Sequence, residues 1–367
     1  MVAVPSSAGS GAASVEDSVE LKLKVAGKEL TGGEVAHLAE VRISQTLGMT
    51  GTLELRLAAW DADSQELSWV APTGTPPQSW VDGDRFAPGA EVEVSLGYAG
   101  ASKLVFSGNF TKFSIDASAA GRAYLRVWAS DLLERLARDD RAEVYLDTTC
   151  AGVVRKIAER AKMKVDAADD DELDPECPSI EQPPMTDLRF IREKLAARLG
   201  YDLYADGATL VFKKSQLREH ASLTLTATEH VISFNAELAE TTQLGGVEVY
   251  AFDTLNKKFL VGKEKNSASA DQAFSTTDSR AMIVDGAITK QEQVDAKAKI
   301  ELAKMRGEYI AGSATCFGRT DLRPGIMIAL EGFGKRFGGD AYVTSVTHTV
   351  TPSGGFRTAF TWKGQPR

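Results

Sequence analysis

Residues 322–362 read LRPGIMIALEGFGKRFGGDAYVTSVTHTVTPSGGFRTAFTW. Pro324-Gly325 is a turn dipeptide: proline presets its own φ and glycine accepts the positive φ that follows. The apolar run Ile326-Met327-Ile328-Ala329-Leu330 is too short for a helix and is closed by Gly332-Phe333-Gly334, so it reads as a buried strand. From Tyr342 to Val350 the chain alternates, with Val346, His348 and Val350 on one side. The cluster Pro352-Ser353-Gly354-Gly355 then turns it back into Thr358-Ala359-Phe360-Thr361-Trp362, a hairpin. The stretch is strands punctuated by glycine, and it carries no local arrangement of catalytic groups.

Working outward, the same period of two recurs at 19–25, 41–44, 52–57, 91–96, 104–106 and 123–128. Residues 60–86 hold too many Pro and Gly for regular structure. The period then changes. Ser130 is placed to cap a short helix over 131–136, and 151–160 carries a helical stripe of Val153, Val154 and Ile157. A third helix starts at the cap Thr186, shows Leu188, Ile191, Leu195 and Leu199 at spacings of three and four, and stops at Gly200. A hairpin follows, with Asp206-Gly207 at its tip. Strands resume at 223–226, 231–235 and 247–251. After them come a polar loop over 266–279 and a helix over 291–305 whose apolar residues are Val294, Ile300 and Leu302.

The expected fold is mainly β with an α+β insert. Residues 1–14 are read as a disordered tail, 15–139 as a first β domain and 140–218 as the helix and β-hairpin insert. Residues 219–367 form a second β domain with a helical segment near 290–306.

A chain of 367 residues with 43% hydrophobic and 25% charged residues can bury a core without staples. Its net charge of −9, with no Lys/Arg cluster, excludes a general nucleic-acid binder. Cys150, Cys177 and Cys316 fit neither a disulfide framework nor a zinc pattern, and are read as reduced structural thiols. Neither a secretory leader nor an apolar run of membrane-spanning length is expected. The four histidines (His37, His220, His230 and His348) show no metal-ligand spacing, and His348 is read as a packed histidine of its strand. The acidic run over 166–176 lacks the alternation and glycine of a calcium loop and is read as a solvated loop. No catalytic, cofactor-binding or metal-binding residue is assigned, although an active site dispersed along the chain would leave no local motif.

As a sequence, 322–360 resembles the end of the phage late control protein D and VgrG family, the tail-tip or baseplate hubs of contractile tails and injection systems. The resemblance extends upstream to Leu104-Val105-Phe106-Ser107-Gly108, Tyr124-Leu125-Arg126-Val127 and Ser130-Asp131. It continues through Ala151-Gly152-Val153-Val154, Thr186-Asp187-Leu188-Arg189-Phe190-Ile191 and Leu199-Gly200-Tyr201, so it spans about 18–365. It places signature structural positions at Gly108, Asp131, Gly200, Gly325, Gly332, Tyr342, His348, Gly355 and Thr358. It implies a homotrimeric, non-enzymatic hub with two β-barrel-like tube domains per subunit, joining an inner tube or tube-initiator protein to a spike. Because the chain stops at Arg367, the spike is expected to be a separate protein. Baseplate wedge proteins are further expected partners, and no cofactor is implied. Assembly would take place in the bacterial cytoplasm, before incorporation into a phage tail or injection particle. A tail-tip cell-wall hydrolase and a carbohydrate-binding β module remain as alternatives.

Overall fold

The computed structural model describes residues 19–58, 60–61, 66–67, 87–98, 100–118, 122–170, 173–215, 220–238, 244–253, 256–266, 279–286 and 288–364. The tail expected over 1–14 and most of the loops at 60–86 and 266–279 lie outside the described residues. The fold is mainly β, with small helical parts.

The first β unit contains β1 (Val19–Val25), β2 (Lys28–Glu29), the short helix α1 (Gly32–Ala36), β3 (Leu38–Thr46) and β4 (Thr52–Ala58). A two-residue ribbon, β5 (Trp60–Asp61) with β6 (Glu66–Leu67), precedes β7 (Glu91–Tyr98), β8 (Lys103–Ser118) and β9 (Arg122–Asp131). Alternation sets the faces: Leu23 and Val25 are buried while Lys22 and Lys24 are exposed, and the same holds along β4 and β7. Ile43, Leu53, Leu55, Leu96, Phe106 and Leu125 fill the core, which also takes in Val350 and Phe356 from the far end of the chain.

The α+β insert holds β10 (Asp140–Thr148), α2 (Cys150–Arg160), β11 (Lys164–Ala167) and β12 (Cys177–Thr186). Its helix over 187–199 consists of α3 (Asp187–Phe190), a π-helical stretch (Ile191–Ala196) and α4 (Ala197–Leu199), and β13 (Tyr201–Asp206) and β14 (Thr209–Lys214) close it. Thr149 caps α2 by accepting from Gly152 N at 2.9 Å, and Thr186 caps α3 as its sequence position predicts. Gly200 ends the helix in the left-handed region, at φ +68°. The short helix expected over 131–136 is a 3-10 helix, Leu132–Leu136, capped by Asp131 rather than Ser130, because it is the Asp131 carboxylate that accepts from Leu133 N.

The acidic run is not simply solvated. Asp174 is buried and accepts from Cys150 N at 2.8 Å and Ala151 N at 2.7 Å, so it closes the N-terminus of α2. Asp166 pairs with Lys213 and Asp169 with Arg155.

The remainder of the chain supplies β15 (Leu223–Thr226), β16 (Val231–Leu238), β17 (Gly246–Asp253), β18 (Lys258–Lys265), β19 (Arg280–Val284), α5 (Gln291–Gly307), β20 (Ile310–Phe317), β21 (Met327–Glu331), the short α6 (Gly334–Phe337), β22 (Gly339–Thr351) and β23 (Gly355–Gly364). Within it, β18-β17-β19 form a separate three-stranded sheet, one face of which is covered by Val294, Ala298 and Leu302 of α5. This second α+β unit is not distinguished in the sequence, where the stretch reads as part of one β domain. Ile300, another of the apolar residues of this helix, packs against the insert: a methyl group on Gly200 would lie 2.8 Å from its Cγ2. Lys297 Nζ donates to Ala197 O and Arg198 O at 3.1 Å each, and Lys304 Nζ to Ala197 O at 2.8 Å. Two lysines of α5 thereby satisfy the terminal carbonyls of the 187–199 helix, at the negative end of its dipole.

The two β units are joined in one sheet of thirteen strands. Its main path runs β16-β20-β23-β22-β3-β4-β9-β8-β7-β1-β2, with β21 and β15 branching from β22. The seam is the antiparallel pairing of β3 with β22, from Thr46 opposite Ser345 to Val41 opposite Val350. Ser44 Oγ and Thr347 Oγ1 meet across it at 3.2 Å. Among the described residues no helix is long and apolar enough to cross a membrane.

Gly325 (φ +86°) and Gly355 (φ +65°) both occupy the left-handed region. No atom lies within 4 Å of where a Cβ on Gly355 would sit, so the cost of a side chain there is conformational. Valine at either position is expected to lower the unfolding free energy by about 1–3 kcal/mol, and asparagine by clearly less. Urea midpoints would measure this, and a valine variant as stable as the parent would remove the conformational argument.

Candidate functional site at the junction of the β units and the insert

The turn between β3 and β4, residues 47–51, is where the first β unit, the second β unit and the insert meet. Leu47 N donates to Thr344 O of β22 at 3.1 Å, and Gly48 N to Leu203 O of β13 at 2.7 Å. Gly51 N donates to Asp131 Oδ2 at 2.8 Å, while Leu133 N donates to Asp131 Oδ1 at 3.0 Å. One carboxylate thus ties the turn to the start of the insert. Burial pushes the Asp131 carboxyl up to about 7, against the pull of the two backbone N–H groups. Gly108 of β8 sits directly opposite Asp131 in the ladder.

A second buried polar link lies on the other side of the turn. The Tyr342 hydroxyl of β22 donates to the Asp202 carboxylate of β13, and Ser215 Oγ donates to Tyr342 Oη at 3.0 Å. Burial raises Asp202 to about 6, opposed by these hydroxyls and by Lys363, and it raises Tyr342 further still. Gly325 approaches the same spot, with Leu47, Tyr204 and Asp202 around the place a Cβ would occupy. A cavity of about 590 Å³ opens beside the junction, lined among others by Gly48, Arg192, Leu199, Ile300, Tyr342 and Lys363.

Removing the Tyr342 hydroxyl deprives a buried carboxylate of a donor. Tyr342→Phe is expected to cost about 1–3 kcal/mol in urea unfolding. Most of that loss should vanish in the Asp202→Asn background, which a double-mutant cycle would detect.

His348 is buried against Phe356, with ring centroids 5.7 Å apart, and its Nδ1 lies 3.0 Å from Thr358 Oγ1. Thr358 Oγ1 also accepts from Arg319 N at 2.9 Å. Burial pushes His348 down to about 4, so it is a neutral core imidazole at ordinary pH. Asp131 and His348 line one small cavity together with Gln45 and Tyr204.

Of the signature positions, Asp131, Gly200, Gly325, Tyr342 and His348 therefore gather around the junction. Gly108 and Thr358 lie directly beside Asp131 and His348. Gly332 (φ +85°) closes β21 against Ala227, and Gly355 opens β23, both outside this cluster. The sequence reading missed Asp202, Ser215 and the 47–51 turn. The signals available for them were Gly48, which has φ +69°, and an aspartate at the inward edge of a hairpin strand.

The arrangement locks units together. Burial holds Cys150 and Cys316 as thiols, with Cys316 pushed up to about 12. Among the described residues no group of three His, Cys, Asp or Glu is placed to hold a metal ion.

The fold is shared with solved tail proteins. The 43 kDa tail protein of prophage MuSo2 from Shewanella oneidensis superposes with a TM-score of 0.70 at 13% identity, over 94% of this chain and 98% of that one. The tail protein from Neisseria meningitidis MC58 gives 0.67 at 15% identity, over 94% and 96%. The E. coli c3393 protein, a component of the type VI secretion system, gives 0.56 at 16% identity, over 90% and 73%. No curated protein matches the chain. At these identities the likeness establishes the fold alone, one shared with solved tail proteins. The sequence itself matches the family described as the Alg8 N-terminal domain over residues 15–352, nearly its whole length, and the chain belongs to that family.

Proposed function

We propose that this protein is the structural hub of a contractile, phage-tail-like particle, closely akin to late control protein D and the VgrG hubs. The observation that carries the reading is the single sheet in which two β units are fused through β3 and β22, in a fold shared with phage tail and type VI secretion proteins. Three copies closing on rotation would place six β units around one axis, a match between a hexameric tube and a threefold spike. On this reading the partners are an inner tube or tube-initiator protein, a separate spike and baseplate wedge proteins, and the protein works by shape, without turnover. The polar links at the junction support it, since they tie the insert to both β units and so brace the seam between them.

Light scattering on the purified chain tests the proposal. The expected mass is three times the 39.4 kDa of one copy. A monomer at micromolar concentration, or clearing of a peptidoglycan zymogram, would overturn it.

A further inference from the structure

Among the described residues, the second α+β unit has one face covered by α5 and one bare face. On the bare face Phe252 of β17 and Phe259 of β18 meet edge to face at 5.0 Å, and Phe259 is 74% exposed. Met282 (71%) and Val284 (81%) of the edge strand β19 continue the patch across β17. The outer edge of β19 pairs with no described strand, and large apolar side chains beside such an edge are what a folded protein leaves open for a partner.

One end of this face is cationic. Lys263 and Lys265 of β18 and Arg280 of β19 lie together there, and Glu248, the acid between them, is already engaged by the Tyr250 hydroxyl, Arg280 and Lys263. Packing the face onto its own copy about a twofold axis would set cations against cations, so an isologous contact is disfavoured.

A surface of complementary character lies on the first insert. Outside the face just described, Val144 (57%) and Leu146 (63%) are the most exposed large hydrophobic residues among the described residues. They project from β10 on the side opposite the buried Tyr145, with Glu181 across the ribbon from Val144 and with Asp147 and Glu176 exposed at the ribbon's end. The β10–β12 ribbon is thus an apolar ridge with acidic flanks.

We propose that neighbouring copies join through these two surfaces, the β10–β12 ridge of one copy seating on the bare face of β17, β18 and β19 of the next. The contact is heterologous, so repetition about an axis closes a ring. The inference rests on the hub reading above and names the surfaces that build its ring.

Two exposed substitutions test it, Leu146→Asp on the ridge and Phe259→Asp on the face, with circular dichroism confirming the fold. Each alone is expected to sediment as a monomer where the parent is a trimer. An equimolar mixture should stop at a dimer, because Leu146→Asp keeps an intact face, Phe259→Asp keeps an intact ridge, and the pair can make only one joint. The milder Val144→Ser and Val284→Ser should each weaken the trimer at least tenfold with unchanged unfolding midpoints. Retention of the parent mass by either aspartate variant, or a mixture that stays monomeric, overturns the assignment of surfaces while leaving a trimeric parent intact. A monomeric parent overturns the hub reading and this inference together.

Discussion

Trp362→Ala is expected to lower the unfolding free energy by about 4 kcal/mol, near the top of what a single core truncation does. Trp362 is buried in β23, stacked on Phe234 at 5.7 Å, with Phe333 lying on the far side of that ring at 3.9 Å. Opposite it in β20 stands Gly312, and a Cβ there would come within 2.8 Å of the indole. The ring occupies space that the backbone of β20 leaves free, so its removal opens a void that no neighbouring side chain can fill. The indole Nε1 has no hydrogen-bond partner among the described residues. Trp362→Phe therefore gives up volume but also removes an orphan donor, and it should cost under about 1.5 kcal/mol. Equal losses for the two variants in urea unfolding would rule out the void as the cause.

The second large effect is a pair of opposed pH slopes. Asp131 stands at about 7 when folded against 3.8 ordinarily, so its stabilising contribution is complete below about pH 4 and is lost as pH rises through 7. Asp202, at about 6, adds to the same fall. His348 stands at about 4 against 6.5, so its contribution is present above about pH 6.5 and is lost as pH falls through 4. At about 1.4 kcal/mol per pH unit of displacement, Asp131 is worth about 4 kcal/mol and His348 about 3 kcal/mol across their windows. Between about pH 4 and 6.5 the Asp131 and His348 slopes oppose each other, and Asp202 leaves a net fall in the parent. His348→Asn should steepen that fall in stability as pH rises over the range. Asp131→Asn should flatten or invert it, after a uniform loss from the missing acceptor. Urea midpoints at half-unit intervals of pH would read the slopes, and parallel profiles for parent and variants would refute the two assignments.

Much of the fold was legible where local pattern and burial agree. The closing strands, the Thr186 cap, the Gly200 stop and the Asp206-Gly207 hairpin are all written within a few residues of where they act. What escaped reading has physical reasons. β10 buries little beyond Tyr145, and β12 carries Pro178, Pro183 and Pro184, tolerable only because a two-stranded ribbon leaves N–H positions facing outward. β18 carries Lys263 and Lys265 on the side that bears Phe259, a side with no cover among the described residues. β20 uses Gly312, Ala314 and Cys316 where a strand signal would want branched residues, since Trp362 fills the space above it. The polar links of the junction depend on groups distant in sequence, such as Tyr342 with Asp202, and no spacing rule announces them. Asp174 looked like one more acid in an acidic loop, although it caps a helix that begins two dozen residues earlier.

The seam between β3 and β22 also sets when the molecule can become itself. Ser44 and Thr347, which face each other across it, are 303 positions apart. A ribosome making this chain exposes the β3 edge early and delivers its partner only near the end of synthesis. Until then the N-terminal strands carry an open, apolar-backed edge, the state in which neighbouring nascent chains pair with one another. Closure over so long a loop is slow. Truncation before β22 should yield aggregates rather than a soluble half, and any cell that makes this protein in quantity has to shelter it through that interval.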